Sequence, residues 1–272
     1  LDKKSDYPSV ILADTIKGKG VSFMENNQVD SDLEMYEFHS GAPSKSNYRK
    51  AINELTKKID LLTEKYNVNN ITSHKIKYKR KIDNNKYDSL INNYSKSILK
   101  VGRKNDKVLA LDADLVLDTG LVEFKKTFPD RFIECGIAEQ DMVSIASGLA
   151  IRNKIPIVHS FSCFLTSRAN EQIYNNSTEL SKIIYVGSLA GILPAGPGHS
   201  HQSFRDISTM STIPNMLIYE PSCIDEIELI LDWFVNKYKY NSYIRLCSIP
   251  HRRLIKLPSK YSIEKGKGYV VK

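Results

Sequence analysis

The sequence lacks a long hydrophobic run, a signal peptide and paired cysteines. No apolar segment approaches the roughly 20 residues that a membrane-spanning helix requires, and residues 1–7 do not have the charged-then-apolar layout of a signal peptide. The four cysteines show no CxxC spacing, so the sequence indicates neither a zinc site nor a disulfide framework. We therefore expect a cytoplasmic protein that has no membrane partner and no metal site of its own.

The 31 acidic residues are fewer than the 39 Lys and Arg residues, and the formal net charge is +8 in 272 residues. Much of the excess lies in residues 75–86 and 251–256. The first stretch has few apolar residues, which is typical of a solvated linker. The basic residues do not alternate with aromatic residues on one predicted surface, as binding of single-stranded nucleic acid would require. We expect no nucleic-acid partner, and a noncatalytic basic binding protein is kept only as the alternative from another class.

Both ends of the sequence have the pattern of cuts through a longer polypeptide. The chain starts with Leu1 and soon reaches residues 9–13, which predict a short buried strand, followed by a Lys-Gly-Lys-Gly turn at residues 17–20. The last residues, 263–272, resemble the opening of another module. The hydrophobic content of 41% is sufficient for one large domain together with parts of its neighbours.

A long amphipathic helix is predicted after Ser44, a plausible N-cap. Apolar residues recur there at intervals of three and four along one face: Tyr48, Ile52, Leu55, Ile59 and Leu62. Residues 67–86 are rich in Asn and Lys and break this period. We place a linker there.

From residue 87 onward, helix and strand patterns alternate. Strands are predicted at residues 108–112, 132–134, 155–159, 182–187, 216–220 and 242–246, with helices at 90–101, 138–152, 170–180, 202–211 and 223–236. This alternation predicts an α/β fold with a mostly parallel sheet that helices cover on both faces. Such folds bind ligands at the carboxyl ends of their strands.

The most informative segment is residues 132–142, FIECGIAEQDM. It predicts a strand that turns at Gly136 and enters a helix with Glu139 in its first turn, where an acid is ordinarily favoured by the helix dipole. The string as a whole resembles the pyrimidine-domain motif of the transketolase family, which depends on thiamine diphosphate. The resemblance implies that Glu139 hydrogen-bonds N1′ of the aminopyrimidine and so favours the reactive tautomer of the cofactor. It also implies that Ile137 holds the cofactor in its bent shape.

Other segments support the same resemblance. Residues 159–172, HSFSCFLTSRANEQ, resemble the segment whose aromatic residues stack on the pyrimidine, and Phe161 and Phe164 fall on those positions. Residues 109–115, LALDADL, resemble the acidic turn of the same domain, in which Asp114 either faces the cofactor or a dimer partner or serves as a turn residue. Residues 38–43, FHSGAP, resemble a His-Gly-x-Ala-Pro element, which makes His39 a contact of cofactor phosphate or substrate oxygens.

The resemblance covers nearly the whole chain and implies four regions. Residues 1–66 correspond to the end of a diphosphate-binding domain, 67–86 to a linker, 87–256 to a pyrimidine-binding domain with the thiamine-diphosphate-binding fold, and 257–272 to the start of a C-terminal domain. These residues lack the family's Gly-Asp-Gly segment, which holds Mg²⁺ and the diphosphate. We therefore expect the magnesium ligands outside this chain, and a homodimer or a complex with a diphosphate-binding chain.

The segment that resembles the family's substrate loop departs from the usual sequence. His201 matches the site histidine, which would steady substrate oxygens and shuttle protons. Leu189 stands where a His is common, and Pro197 stands where an Asp reads sugar hydroxyls. His199 is an additional histidine, which we predict to bind substrate.

A second departure lies in residues 243–248, YIRLCS, which resemble an x-x-Arg-Leu-x-Arg strand. Arg245 is kept as a predicted substrate ligand, whereas Ser248 replaces the second Arg, a ligand of the sugar phosphate. Loss of that charge-assisted partner would weaken phosphate binding by about 1.5–3 kcal/mol. Arg252 or Arg253 follows closely enough to substitute for it.

We therefore predict a transketolase-type transferase that moves a two-carbon ketol unit from a ketose to an aldose. Its substrates would be sugars or sugar phosphates other than the usual pentose and hexose phosphates, although a divergent branch that repositions its polar groups would show the same departures. Two alternatives remain within the resemblance. One is a 1-deoxyxylulose-phosphate-synthase-like enzyme that decarboxylates pyruvate, and the other is the pyrimidine-binding subunit of a two-chain enzyme.

Overall fold

A computed structural model describes residues 12–25, 36, 38, 43–68, 87–193, 198–252 and 255–270. The chain divides into two compact units, Leu1–Lys81 and Ile82–Lys272. Most of the predicted linker, residues 69–86, lies outside the described residues, as do His39, Pro197 and Arg253.

The first unit contains the predicted amphipathic helix, α1 (Lys45–Tyr66). The Ser44 side chain caps it by accepting a hydrogen bond from the backbone N–H of Asn47, as predicted. Most of its predicted apolar face is exposed within this chain, including Tyr48, Ile52 and Leu62. The helix is therefore confirmed, and much of its apolar face is exposed among the described residues.

The strand predicted at residues 9–13 is wrong for the two residues that are described. Leu12 is 94% exposed, and neither Leu12 nor Ala13 forms a strand. Among the described residues of this unit, no strand is present with which the backbone groups of Leu12 and Ala13 could pair. The turn predicted at residues 17–20 is confirmed, with positive φ at Gly18 and Gly20.

The second unit alternates helices and strands. In chain order they are α2 (Leu90–Lys104), β1 (Val108–Asp112), α3 (Val122–Thr127), β2 (Phe132–Glu134), α4 (Glu139–Ile151), β3 (Ile155–Phe161), α5 (Ser162–Arg168), α6 (Asn170–Thr178), β4 (Ile184–Ser188), α7 (Asp206–Ser211), β5 (Leu217–Tyr219), α8 (Ile224–Asn236) and β6 (Ser242–Arg245). All six predicted strands are present, whereas α3 and α5 were not predicted.

The six strands form one sheet in the order β2-β1-β3-β4-β6-β5, and each described pairing is parallel. The predicted α/β class is therefore confirmed. Because β2 and β3 lie on opposite sides of β1, the strand order reverses there, and sheets of this kind bind ligands at the carboxyl ends of the strands beside such a point.

Both faces of the sheet are covered. One face carries a row of residues in register, and these pack against α4, α5, α6 and α7: Ile133, Leu111, Val158, Tyr185, Tyr243 and Ile218. The next residue along β3 after Val158 is His159, which points to the other face of the sheet. There it forms a hydrogen bond with Tyr94 of α2, and α2 packs against α8. Helices on the two faces thus leave the carboxyl ends of the strands as the accessible edge.

Among the helices that the structure describes, none is long and apolar enough to cross a membrane. The four cysteines are free thiols, and Cys223 is buried.

Candidate functional site

Glu139 begins α4 at the carboxyl end of β2, and it is only 4% exposed. Its Oε1 accepts a hydrogen bond from Nη1 of Arg168, at 2.7 Å. The Arg168 guanidinium also lies 3.9 Å from the ring centre of Phe164. Arg168 therefore joins the carboxylate of one element to the aromatic ring of another. Among the described residues, Oε2 of Glu139 accepts no hydrogen bond and remains available to a ligand.

Three rings meet beside this ion pair. Phe161 ends β3 and Phe164 lies in the first turn of α5, and their ring centres are 5.8 Å apart. The His201 ring contacts both in edge geometry, at 5.9 Å from Phe161 and 4.9 Å from Phe164. The structure thus brings together Glu139, Phe161, Phe164 and His201, four residues selected from three segments of the sequence.

This group has the chemistry that an aminopyrimidine ring requires. Aromatic and imidazole rings offer stacking or edge contacts to a flat heterocycle. A buried carboxylate with one free oxygen can accept a hydrogen bond from a protonated ring nitrogen. The residues present therefore fit the pyrimidine half of thiamine diphosphate.

A second acidic group lies at the ends of β1 and β2. Asp112 is fully buried and accepts hydrogen bonds from the Leu115 backbone N–H and the Thr119 hydroxyl. Glu134, its neighbour in register, accepts from the backbone N–H groups of Asp114 and Gly136. Burial, and then the charge of Glu134, raise the pKa of Asp112 to about 8. Asp112 is thus predominantly protonated at neutral pH.

His159 lies in the interior of the protein and not among the residues at the carboxyl ends of β1 and β2. It is fully buried, its Nδ1 lies 3.0 Å from the Leu111 carbonyl oxygen, and its Nε2 lies 2.6 Å from the Tyr94 hydroxyl. Burial lowers the pKa of His159 to about 4, so the ring is neutral at physiological pH. A neutral ring satisfies both contacts when Nδ1 donates to the carbonyl and Nε2 accepts from the hydroxyl.

Two of the three positions at which the sequence departs from its resemblance, Leu189 and Ser248, are in contact. The Leu189 backbone N–H donates to Oγ of Ser248, at 2.8 Å. The Leu189 side chain packs against Phe161 and Leu115. These two positions are therefore occupied by an apolar side chain and a neutral hydroxyl that are already engaged with the protein.

Arg245 is committed to protein partners. Its Nε donates to Oδ2 of Asp206 at 2.7 Å, its Nη2 donates to the Ser203 carbonyl, and its Nη1 contacts Glu220. The same Asp206 oxygen accepts from the hydroxyls of Ser162 and Tyr243. The substrate contact predicted for Arg245 stays a prediction, and this network favours a structural role, since it ties β6 to α5 and α7.

A pocket of about 430 Å³ opens between α5 and the segment that leads into α7. Its lining includes Phe164 and Arg168 on one side and His199, Gln202 and Arg205 on the other. The predicted substrate residue His199 therefore lies beside the group of Glu139, Phe164 and His201.

The structure also describes three other predicted residues. Ile137 is 64% exposed on the turn before α4. Asp114 lies in a left-handed turn with φ +60, which agrees with the turn alternative. Arg252 is exposed. Their roles stay predictions, as does that of His39, which the structure does not describe.

Sequence reasoning missed Arg168 and Asp206. Arg168 follows Phe164 by four residues, a spacing that would place both on one helix face if α5 had been predicted. Asp206 has no local signal, because its partners Ser162, Tyr243 and Arg245 come from distant segments.

Known proteins resemble the chain in the same region. Residues 90–248 match the family model "Transketolase, pyrimidine binding domain". A 1-deoxy-D-xylulose-5-phosphate synthase of Clostridium acetobutylicum is 35% identical over 144 residues, which are 53% of this chain and 23% of the synthase. A 6-deoxy-6-sulfo-D-fructose transketolase subunit SqwH of Clostridium sp. (strain MSTE9) is 36% identical over 137 residues, which are 50% of this chain and 42% of that subunit.

A solved structure shares the fold. The protein described as "Split gene transketolase, inactive beta4 tetramer" superposes with a TM-score of 0.58 at 30% identity, covering 67% of this chain and 58% of that chain. The chain therefore spans less than two thirds of each of these relatives.

Proposed function

Because this chain belongs to the transketolase family, whose pyrimidine-binding domain it contains, we propose that it supplies the pyrimidine half of a thiamine diphosphate site in a ketol-transferring enzyme. The reaction would move a two-carbon unit from a ketose to an aldose. The observation that carries this proposal is the position of Glu139, buried at the start of α4 and linked through Arg168 to Phe164, with His201 against the same ring.

Each of these residues has a role in the proposed site. Glu139 would receive the pyrimidine N1′ on Oε2 while Arg168 holds Oε1 and keeps the carboxylate oriented. Phe161 and Phe164 would pack against the ring, and Ile137 would support the bent cofactor. His201 and His39 would hold substrate oxygens and exchange protons with them. The bound cofactor would supply the carbanion chemistry, with Mg²⁺ held by residues outside this chain.

The substrate would differ from the usual pentose and hexose phosphates. The contact between the Leu189 backbone and Ser248 supports this, because it leaves no cationic ligand at either position. The similarity to a relative named for a sulfonated sugar supports it as well.

The active enzyme would contain a diphosphate-binding module in addition to this pyrimidine-binding module. The similarity to a split-gene transketolase and to a transketolase subunit supports an assembly in which this chain meets a diphosphate-binding module, either in a second chain or in the partner of a homodimer. Residues 1–66 would be the end of such a module, 87–256 the pyrimidine-binding domain and 257–272 the start of a further domain. We place the enzyme in the cytoplasm.

The proposed activity is tested with the full-length enzyme, thiamine diphosphate and Mg²⁺. Ketol transfer from a panel of ketoses is measured, with xylulose 5-phosphate and ribose 5-phosphate as the reference pair. We expect transfer, with the reference pair slower than another donor or acceptor. Fastest turnover of the reference pair would sink the substrate proposal, and no transfer from any ketose would sink the activity.

The second candidate is a synthase that decarboxylates pyruvate. The similarity to 1-deoxy-D-xylulose-5-phosphate synthase favours it. Pyruvate labelled at its carboxyl carbon separates the two reactions, since only the synthase would release labelled carbon dioxide from it.

A further inference from the structure

The pocket between α5 and α7 carries basic groups that the proposed cofactor contacts do not use. Arg205 and His199 line it and are exposed. Within the described parts of the chain, neither side chain makes a hydrogen bond or an ion pair. An unpaired guanidinium at a concavity attracts anions to it, and the neighbouring imidazole can hydrogen-bond to them.

The other charges at this pocket are already paired. Arg168 is bound to Glu139, and Asp206 is bound to Arg245. Cys163 also lines the pocket, and burial raises the pKa of its thiol to about 11, so it adds no charge at neutral pH. The unpaired charge at the pocket is therefore positive and comes from Arg205.

The pocket is also suited to a polyhydroxylated ligand. Gln202 and Ser200 line it with an amide and a hydroxyl, and Phe164 and Phe204 give it apolar walls. Phe164 belongs to the aromatic group of the candidate cofactor site, so the pocket adjoins that group.

We propose that Arg205 and His199 form a subsite for the terminal oxyanion of an acidic sugar, and that this subsite replaces the phosphate ligand absent at position 248. This rests on the proposed function and names its substrate class. The planar guanidinium of Arg205 binds an oxyanion through two parallel N–H groups, and His199 adds a further donor.

The test compares a charged and an uncharged donor in the full-length enzyme. Ketol transfer to the uncharged acceptor glycolaldehyde is measured with fructose 6-phosphate and with fructose. We expect Arg205→Ala to lower kcat/KM for fructose 6-phosphate about tenfold or more, mainly through KM, and to leave the value for fructose unchanged. Arg205→Lys keeps the charge without the fork and should lose less. Arg152→Ala is the matched control, because Arg152 is exposed and lies away from the pocket lining.

Equal loss for both donors, or no loss for either, would overturn the subsite. A binding measurement separates this failure from failure of the proposed activity. Inorganic phosphate is titrated calorimetrically into enzyme saturated with thiamine diphosphate. Binding that Arg205→Ala weakens and Arg152→Ala leaves intact supports the subsite even if no ketose reacts. Binding that is absent, or equal in all three proteins, contradicts it.

Discussion

At the scale of single residues, buried polar groups of this chain are held by partners from distant segments. Tyr94 and His159 are an example, since the hydroxyl of one meets the ring nitrogen of the other with both side chains fully buried. The motif that contains His159 was recognised for its phenylalanines, and nothing in the sequence indicated that Tyr94 would reach it from α2. Glu139, Phe161, Phe164 and His201 were predictable because each lies in a string that resembles one family.

Tyr94→Phe tests this buried pair. Removing the hydroxyl leaves Nε2 of His159 without a donor, and we expect the free energy of unfolding to fall by about 1–3 kcal/mol in urea titrations. Tyr174→Phe is the control, because Tyr174 is 47% exposed and its hydroxyl has no partner among the described residues. Equal stability of the two variants would show that the buried hydrogen bond contributes nothing.

The raised pKa of Asp112 predicts how the stability of the protein depends on pH. Its folded pKa of about 8 lies above its unfolded value of about 3.9, so the folded protein binds more protons between these values. The contribution of Asp112 to stability is therefore full below about pH 4 and is lost as the pH rises toward 8.

Asp112→Asn removes this titration. In the unmodified protein, Asp112 should make the free energy of unfolding fall by up to about 1.4 kcal/mol per pH unit between about pH 4 and 8. We expect this part of the fall to be absent in the variant. The exposed Asp130→Asn variant serves as the comparison, and urea unfolding across this range is the measurement. An unchanged slope in Asp112→Asn would contradict the assignment of a protonated Asp112.

At the scale of elements, the alternation of apolar runs was enough to predict every strand of the sheet. It failed at α5 because β3 passes directly into this helix, without the Gly or Pro that usually marks a boundary. It also placed the start of α7 too early, since residues 199–201 form a short 3₁₀ turn and the α-helix begins only at Asp206. The crowded junction between β4, α5 and β6 could not be foreseen, because it depends on which strands become neighbours.

Replacing Gly187 tests how tightly that junction is packed. A methyl group there would lie 2.5 Å from the Tyr243 hydroxyl and 3.0 Å from Cα of Ser162. We expect Gly187→Ala to lower stability by about 1–3 kcal/mol through overpacking. In Gly148→Ala the added methyl meets nothing within 4 Å, and a helical Ala should leave stability equal or higher by about 0.5–1 kcal/mol. Thermal unfolding of both variants distinguishes a local steric conflict from a general effect of glycine replacement.

At the scale of the whole molecule, our proposal makes the chain one wall of a site. Residues 87–252 bring the carboxylate, the aromatic rings and a basic pocket to one edge of the sheet, whereas the sequence lacks the segment that holds Mg²⁺ and diphosphate in the family it resembles. Among the described residues, Ile137 and several apolar residues of α1 are exposed.

Thiamine diphosphate binding by the full-length enzyme tests the central claim most directly. Dissociation constants are measured with Mg²⁺ for the unmodified enzyme, for Glu139→Gln and for Glu171→Gln, a matched control at an exposed position on α6. Gln still accepts the hydrogen bond from Arg168 but carries no charge for the ring nitrogen, so we predict affinity about 10- to 100-fold weaker in Glu139→Gln alone. Equal affinity in all three proteins would contradict the assignment of Glu139 to the cofactor.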